Sequence, residues 1–100
     1  MQIKWSNEAE LQLQCIVDYY VSVAGPRIAE HILDKIDRAV AYLSVFPELG
    51  IIISRGKIVY RSLVAHPNYK VIYHVEEQVV FISAIWDCRQ DLARMDELFL

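Results

Sequence analysis

The sequence predicts an α+β domain of two layers: an N-terminal strand and an antiparallel helix hairpin packed on one face of a mostly antiparallel sheet. Three observations predict it. Apolar residues recur at helical spacing from Ala9 to Leu43, interrupted at Gly25-Pro26. After Pro47 the period changes to alternation. The turn-forming clusters His66-Pro67-Asn68 and Glu76-Glu77-Gln78 then cut the remainder into short strands.

Gln2 to Trp5 reads as the first strand, with Ile3 and Trp5 on one face. Ser6 and Asn7 are good N-cap residues, and Glu8 and Glu10 sit where negative charge favours a helix start. Ala9, Leu13, Ile16, Val17, Tyr20 and Ala24 form the stripe of a helix over Asn7–Ala24. Gly25 suits its C-terminal cap, and Pro26 opens the next helix. That helix is expected over Pro26–Phe46, through Ala29, Ile32, Leu33, Ile36, Val40 and Leu43, ending before Pro47. So short a link makes the pair an antiparallel hairpin. The apolar run Ile51 to Ile53 reads either as a short edge strand or as a loop packed on the core. Strands are expected at Ile58–Val64, Tyr69–Val75 and Val79–Trp86. The last of these is apolar on both faces, the mark of a central strand or of a surface awaiting a partner. Asp91 to Leu100 reads as a short final helix through Leu92, Met95, Leu98 and Phe99.

One hundred residues make a single domain, residues 1–100, and 55% apolar with 23% charged residues places it in the globular regime. No apolar run approaches the roughly 18–20 residues of a membrane span. The N-terminus lacks a basic-then-apolar signal pattern, so export is not expected. Cys15 and Cys88 form no C-x-x-C motif, which fits a reduced, cytoplasmic protein, and Cys15 reads as a small buried side chain. His31, His66 and His74 are scattered, so neither a metal nor another cofactor is expected. A net charge of -3 argues against a binder held by phosphate neutralisation. Yet Leu49 to Val75 contains no carboxylate and carries Arg55, Lys57, Arg61 and Lys70. Either one face is locally positive, or outward Lys and Arg discourage edge-to-edge aggregation.

Several signposts follow one another in order. They are Ile3-Lys4-Trp5-Ser6 before Ala9, then Leu43 with Pro47 and Gly50, then Arg61 and Leu63. Tyr69-Lys70-Val71-Ile72-Tyr73 and Ile85-Trp86-Asp87-Cys88-Arg89-Gln90-Asp91 complete the set. Along almost its whole length the chain resembles the RelE/ParE (plasmid stabilisation) family of type II toxin–antitoxin toxins. The resemblance implies a toxin neutralised by a cognate antitoxin, with the homodimer as a further expectation when no antitoxin is present. ParE-like members act on DNA gyrase, whereas RelE-like members cleave mRNA on the ribosome.

RNA cleavage through the 2′-hydroxyl needs a proton acceptor, a proton donor and cations around the phosphate. Arg61 and Lys70 match two basic positions of RelE-like enzymes, and Arg89 lies near a third. They are the candidates for catalysis, and with Trp86 for target or partner binding. Tyr60, Tyr69 and His66 could supply acid–base groups, but the tail after Arg89 has neither Tyr nor Lys. The reading favoured is therefore a growth-inhibiting toxin with a ParE-like, non-catalytic action on gyrase. The alternatives are a RelE-like mRNA endoribonuclease, or an inactive relative that only binds an antitoxin. Structural roles compete for every candidate: an internal pair for Arg61, a solvated edge for Lys70, a local ion pair for Arg89 with Asp87 and Asp91, and packing for Trp5 and Trp86.

Overall fold

A computed structural model describes residues 1–89. In chain order the elements are β1 (Gln2–Trp5), α1 (Asn7–Ala24), α2 (Pro26–Leu43), β2 (Ile51–Arg55), β3 (Val59–His66), β4 (Tyr69–Glu76) and β5 (Val79–Asp87). The five strands lie in the order β1-β5-β4-β3-β2. β1 runs parallel to β5, and the other neighbours are antiparallel. The α+β class, the helix hairpin and the consecutive β3-β4-β5 meander are as expected, and Ile51–Arg55 takes the edge-strand option. The expected helix over Asp91–Leu100 lies outside the described residues.

Ser6 starts α1 by accepting the Ala9 N–H at 3.0 Å, and its hydroxyl donates to the Ser83 carbonyl at 3.1 Å. Its own N–H reaches the Ile82 carbonyl at 2.9 Å, so the end of β1 and the start of α1 are stitched to β5 together. Gly25 joins the helices at φ 91°, a conformation that costs a side-chain-bearing residue about 1 kcal/mol or more.

The second helix is shorter than expected, ending at Leu43 and not at Phe46. Ser44 ends it by sending both its hydroxyl (2.7 Å) and its N–H (3.2 Å) to the Ala41 carbonyl. Val45 N–H then takes the Tyr42 carbonyl, tightening the last turn ahead of Pro47. The β4–β5 hairpin turns on Glu77 and Gln78, both at positive φ, the geometry that usually selects Asn-Gly.

The core lies between the hairpin and one sheet face. Ile32, Ile36, Val40 and Leu43 of α2 meet Tyr69, Val71, Tyr73, Val80, Ile82 and Ile85. α1 contributes one fully buried residue, Ala9, and packs Leu13, Ile16 and Tyr20 at the margin. Cys15 is exposed on α1, contrary to the buried position expected, because this helix covers the sheet only along a narrow strip. On the opposite face Ile72, Ala84 and Trp86 form a second buried cluster.

Ser83 is an extra residue in β5: Ile72 pairs with Ala84 but Tyr73 pairs with Ile82. This bulge lets Ile82 and Ile85, three positions apart, both face the helices. Among the described residues no helix is long and apolar enough to cross a membrane.

Candidate functional site

Arg61 sits opposite Tyr73 in the β3–β4 ladder and therefore on the helix side of the sheet. Its Nη1 donates to the Gly50 carbonyl at 2.8 Å and to the Glu48 carbonyl at 3.3 Å. The internal role foreseen for Arg61 is real, but its partners are backbone carbonyls and not a helix carboxylate. Tyr73 completes the arrangement. Its hydroxyl donates to the Pro47 carbonyl at 2.8 Å and accepts the Gly50 N–H at 2.8 Å. A Cβ on Gly50 would lie 2.8 Å from the Tyr73 ring edge and hydroxyl and 2.9 Å from the Ser62 carbonyl. Only glycine fits there. Burial, the largest influence, raises the Tyr73 phenol above its ordinary range and keeps it protonated.

Arg89 lies at the far end of β5. It grips Asp87 with Nε (2.9 Å) and Nη2 (2.8 Å), a two-pronged ion pair, and its N–H adds a third bond to the same carboxylate. These hydrogen bonds hold the Asp87 carboxyl below the usual carboxylate range. Arg89 Nη2 also donates to the Tyr69 hydroxyl at 3.4 Å, which donates in turn to Tyr20 at 3.4 Å. Burial, then the Tyr20 hydrogen bond, pushes the Tyr69 phenol well up. Beside this pair a groove of about 400 Å³ opens between α1 and the sheet, lined by Leu11, Cys15, Ile16, Tyr19 and Ile85 among others.

Lys70 pairs with Val64 and Trp86 on the face away from the helices, half-buried. Trp86 is 5% exposed and packs with Ile72 and Ala84, so it serves as core and offers little surface to a target. On that same face His74 stacks on Phe81 at 5.0 Å and meets the Tyr60 ring edge-on at 5.4 Å. Among the candidate acid–base groups, Tyr60 lies on the face away from the helices, while His66 and Tyr69 are neighbours with ring centroids 5.8 Å apart. His66 accepts the Asn68 N–H on Nδ1, and burial, followed by Lys35 and His31, lowers its pKa.

The structure thus separates the three candidate cations. Arg61 and Lys70 lie on opposite faces. Arg61 is beside Tyr73 and Arg89 beside Tyr69, four residues along β4, or roughly 13 Å at the strand rise.

With this architecture, the model of the ParE toxin of the type II toxin–antitoxin system parDE matches residues 3–92. The chain belongs to the ParE toxin family. Among solved structures, a chain from the chromosomal ParDE toxin–antitoxin system of P. aeruginosa is similar, with a TM-score of 0.74 and 25% identity. The match covers 87% of this chain and 95% of that one. No curated protein matches. The protein is a ParE-type toxin of a toxin–antitoxin system.

Three residues that position the candidate site escaped the sequence reading. Gln12 accepts the Ile85 N–H at 2.8 Å, an amide that lies beyond the end of the β1–β5 pairing at Ile82. Tyr20 reads only as a stripe residue until Tyr69 arrives from across the fold. Tyr73 looks like an alternating strand residue, and nothing local announces that its hydroxyl reaches back to Pro47 and Gly50. The one available signal for Tyr73 was a hydroxyl on the core-facing side of a strand, which must find a partner when buried.

Proposed function

We propose that this ParE-type toxin arrests growth by binding DNA gyrase without catalysing a reaction of its own, and that a cognate antitoxin neutralises it. Membership of the ParE branch supports this reading. The separation of the candidate cations is the observation that carries it. Phosphodiester cleavage requires donor, acceptor and cations to converge on one phosphate. Here Arg61 is engaged by backbone carbonyls, Arg89 by Asp87, and Lys70 faces the other way. A binding mechanism asks only for a rigid, complementary surface. Gyrase as the target places the protein in the cytoplasm.

The test is a purified, refolded toxin added in parallel to gyrase with relaxed plasmid and to a translating extract. Loss of supercoiling with intact mRNA is the expected result. Cuts in mRNA on the ribosome with gyrase unaffected would overturn the proposal in favour of RelE-like cleavage. Indifference of both would leave an inert relative whose remaining role is to bind its antitoxin. Co-purification with the product of the adjacent gene tests neutralisation separately.

A further inference from the structure

The two helices of the hairpin meet the end of β1 around a second recess, of about 300 Å³. It shares no lining residue with the groove beside Arg89. Trp5, Leu13, Val17 and Leu33, all half-buried, give it an apolar floor. Glu10 on α1 and Asp37 on α2 stand exposed at its rim, one from each helix. They meet at one level of the hairpin because the helices run antiparallel from Gly25. Among the described residues neither carboxylate has a hydrogen-bond or ion-pair partner. Gln14, the remaining lining residue, sends its amide to Asp18 at 2.9 Å. Lys4 pairs with Phe81 and alternates with Trp5, so β1 turns its cation to the opposite sheet face. Burial, then Asp34, raises the Asp37 carboxyl, so the fold holds this carboxylate against its own stability.

We infer that this recess binds a linear aliphatic diamine, a short run of methylenes with an ammonium group at each end. The methylenes lie on the apolar floor and against the Trp5 indole, and the two ammonium groups meet Glu10 and Asp37. The lining selects this class over others. A neutral apolar ligand would leave both carboxylates without a counter-ion. A hard divalent cation takes about six or more oxygen ligands, and the apolar floor supplies none. A monoamine, or a lysine side chain from another protein, brings one charge to two anions. The volume is at the small end of ligand-sized clefts, which suits a slender chain and excludes a bulky cation.

The experiment titrates 1,4-diaminobutane into the full chain, beside butylamine and beside sodium chloride at matched ionic strength, read by NMR and by thermal melts. Saturable shifts confined to Trp5, Leu13, Val17, Leu33 and their neighbours are expected, with a Tm that climbs with diamine concentration. Butylamine should bind at least about threefold more weakly, and Glu10→Gln and Asp37→Asn should each weaken the diamine by about threefold to tenfold. Glu30→Gln makes the same charge change outside the recess and should stay within about twofold of the parent. All three positions are exposed and the replacements keep the side-chain shape, so the variants should fold as the parent does. The map of shifts in the parent stands independently of them. Shifts that sodium chloride reproduces, or that spread over the acidic surface without saturating, overturn the site. Equal affinity for butylamine overturns the two-ended anchor and reduces the recess to a seat for one basic group. Saturable binding that both Glu10→Gln and Asp37→Asn leave untouched overturns the assignment to this recess.

Discussion

Replacing Tyr73 with Phe removes one oxygen from the core and, with it, both hydrogen bonds that the hydroxyl makes. The ring is fully buried and stays in place, so no large cavity opens. The Pro47 carbonyl and the Gly50 N–H lose their partner together. Each bond contributes about 1 kcal/mol net, and a buried N–H left unpaired adds a penalty of roughly 1 kcal/mol. The expected loss is therefore about 2–3 kcal/mol, or a Tm drop of roughly 10–20 °C for a domain of this size. Urea and thermal melts measure it, with an unchanged urea slope showing that the unfolded state is the same. Tyr42→Phe, at an exposed tyrosine, should stay within about 0.5 kcal/mol of the parent. A double-mutant cycle with Arg61→Ala should give a coupling of about 0.5–3 kcal/mol, since both side chains hold Gly50. A Tm within about 3 °C of the parent's, with Gly50 amide exchange unaltered, would refute the clamp.

Gly50→Ala should destabilise by about 1–3 kcal/mol in urea melts, because its Cβ meets the Ser62 carbonyl as well as Tyr73. Arg89→Gln should raise the Asp87 pKa toward the ordinary carboxylate range, read by carboxyl NMR. Asp87 is held low in the fold, so the pair's stabilisation is present above the unfolded carboxylate pKa and disappears as pH falls through the folded one; parent and variant melts should differ at neutral pH and converge in acid. Asp37→Asn should act in the opposite sense: burial, then Asp34, raises the Asp37 carboxyl, so its charge opposes folding above that raised pKa. The Asn variant should melt slightly higher at neutral pH, with the gain vanishing in acid. In growth assays Arg89→Ala and Arg61→Ala should lose toxicity, the latter together with stability, while Lys70→Ala should have the smaller effect; three folded, fully toxic variants would remove all three from the site.

The elements were legible because their signals are local. Ser6, Gly25 and Pro26 act within a helical turn, and the stripe from Ala29 to Leu43 is set by helix geometry alone. The alternation of Tyr69, Val71 and Tyr73 likewise needs no neighbour. The place of β1 in the sheet was not legible: it pairs with β5 across most of the chain, and nothing in Gln2–Trp5 names that partner. The candidate site failed at the same point. Within its own strand Arg61 shares a face with Leu63, and Lys70 with Ile72, as alternation predicts. Whether those two faces coincide depends on the β3–β4 register, which puts Arg61 opposite Tyr73 and so opposes it to Lys70. β4 has one clearly apolar face, but β5 is apolar on both, so hydrophobicity alone could not decide which of its faces the helices cover. The bulge at Ser83 had no marker such as glycine, and Gln12's role depends on β5 reaching α1 from across the fold.

The clamp at Gly50 also bears on how firmly the surface beside it can bind a partner. A free loop from Ser44 to Gly50 would lose about 1–2 kcal/mol of backbone entropy per residue on being fixed by a partner. Here Arg61 and Tyr73 impose that order during folding, before any partner arrives. Phe46, Leu49 and Ile51 are then presented in a set arrangement, and their burial need not first overcome loop ordering. On this argument the Arg61 guanidinium contributes to recognition without touching the partner. Arg61→Lys keeps the charge but loses the planar donor geometry that spans two carbonyls. It should weaken partner binding nearly as much as Arg61→Ala, with the loss in residence time and with little change in salt dependence. A charge-driven role predicts the reverse, full retention by lysine.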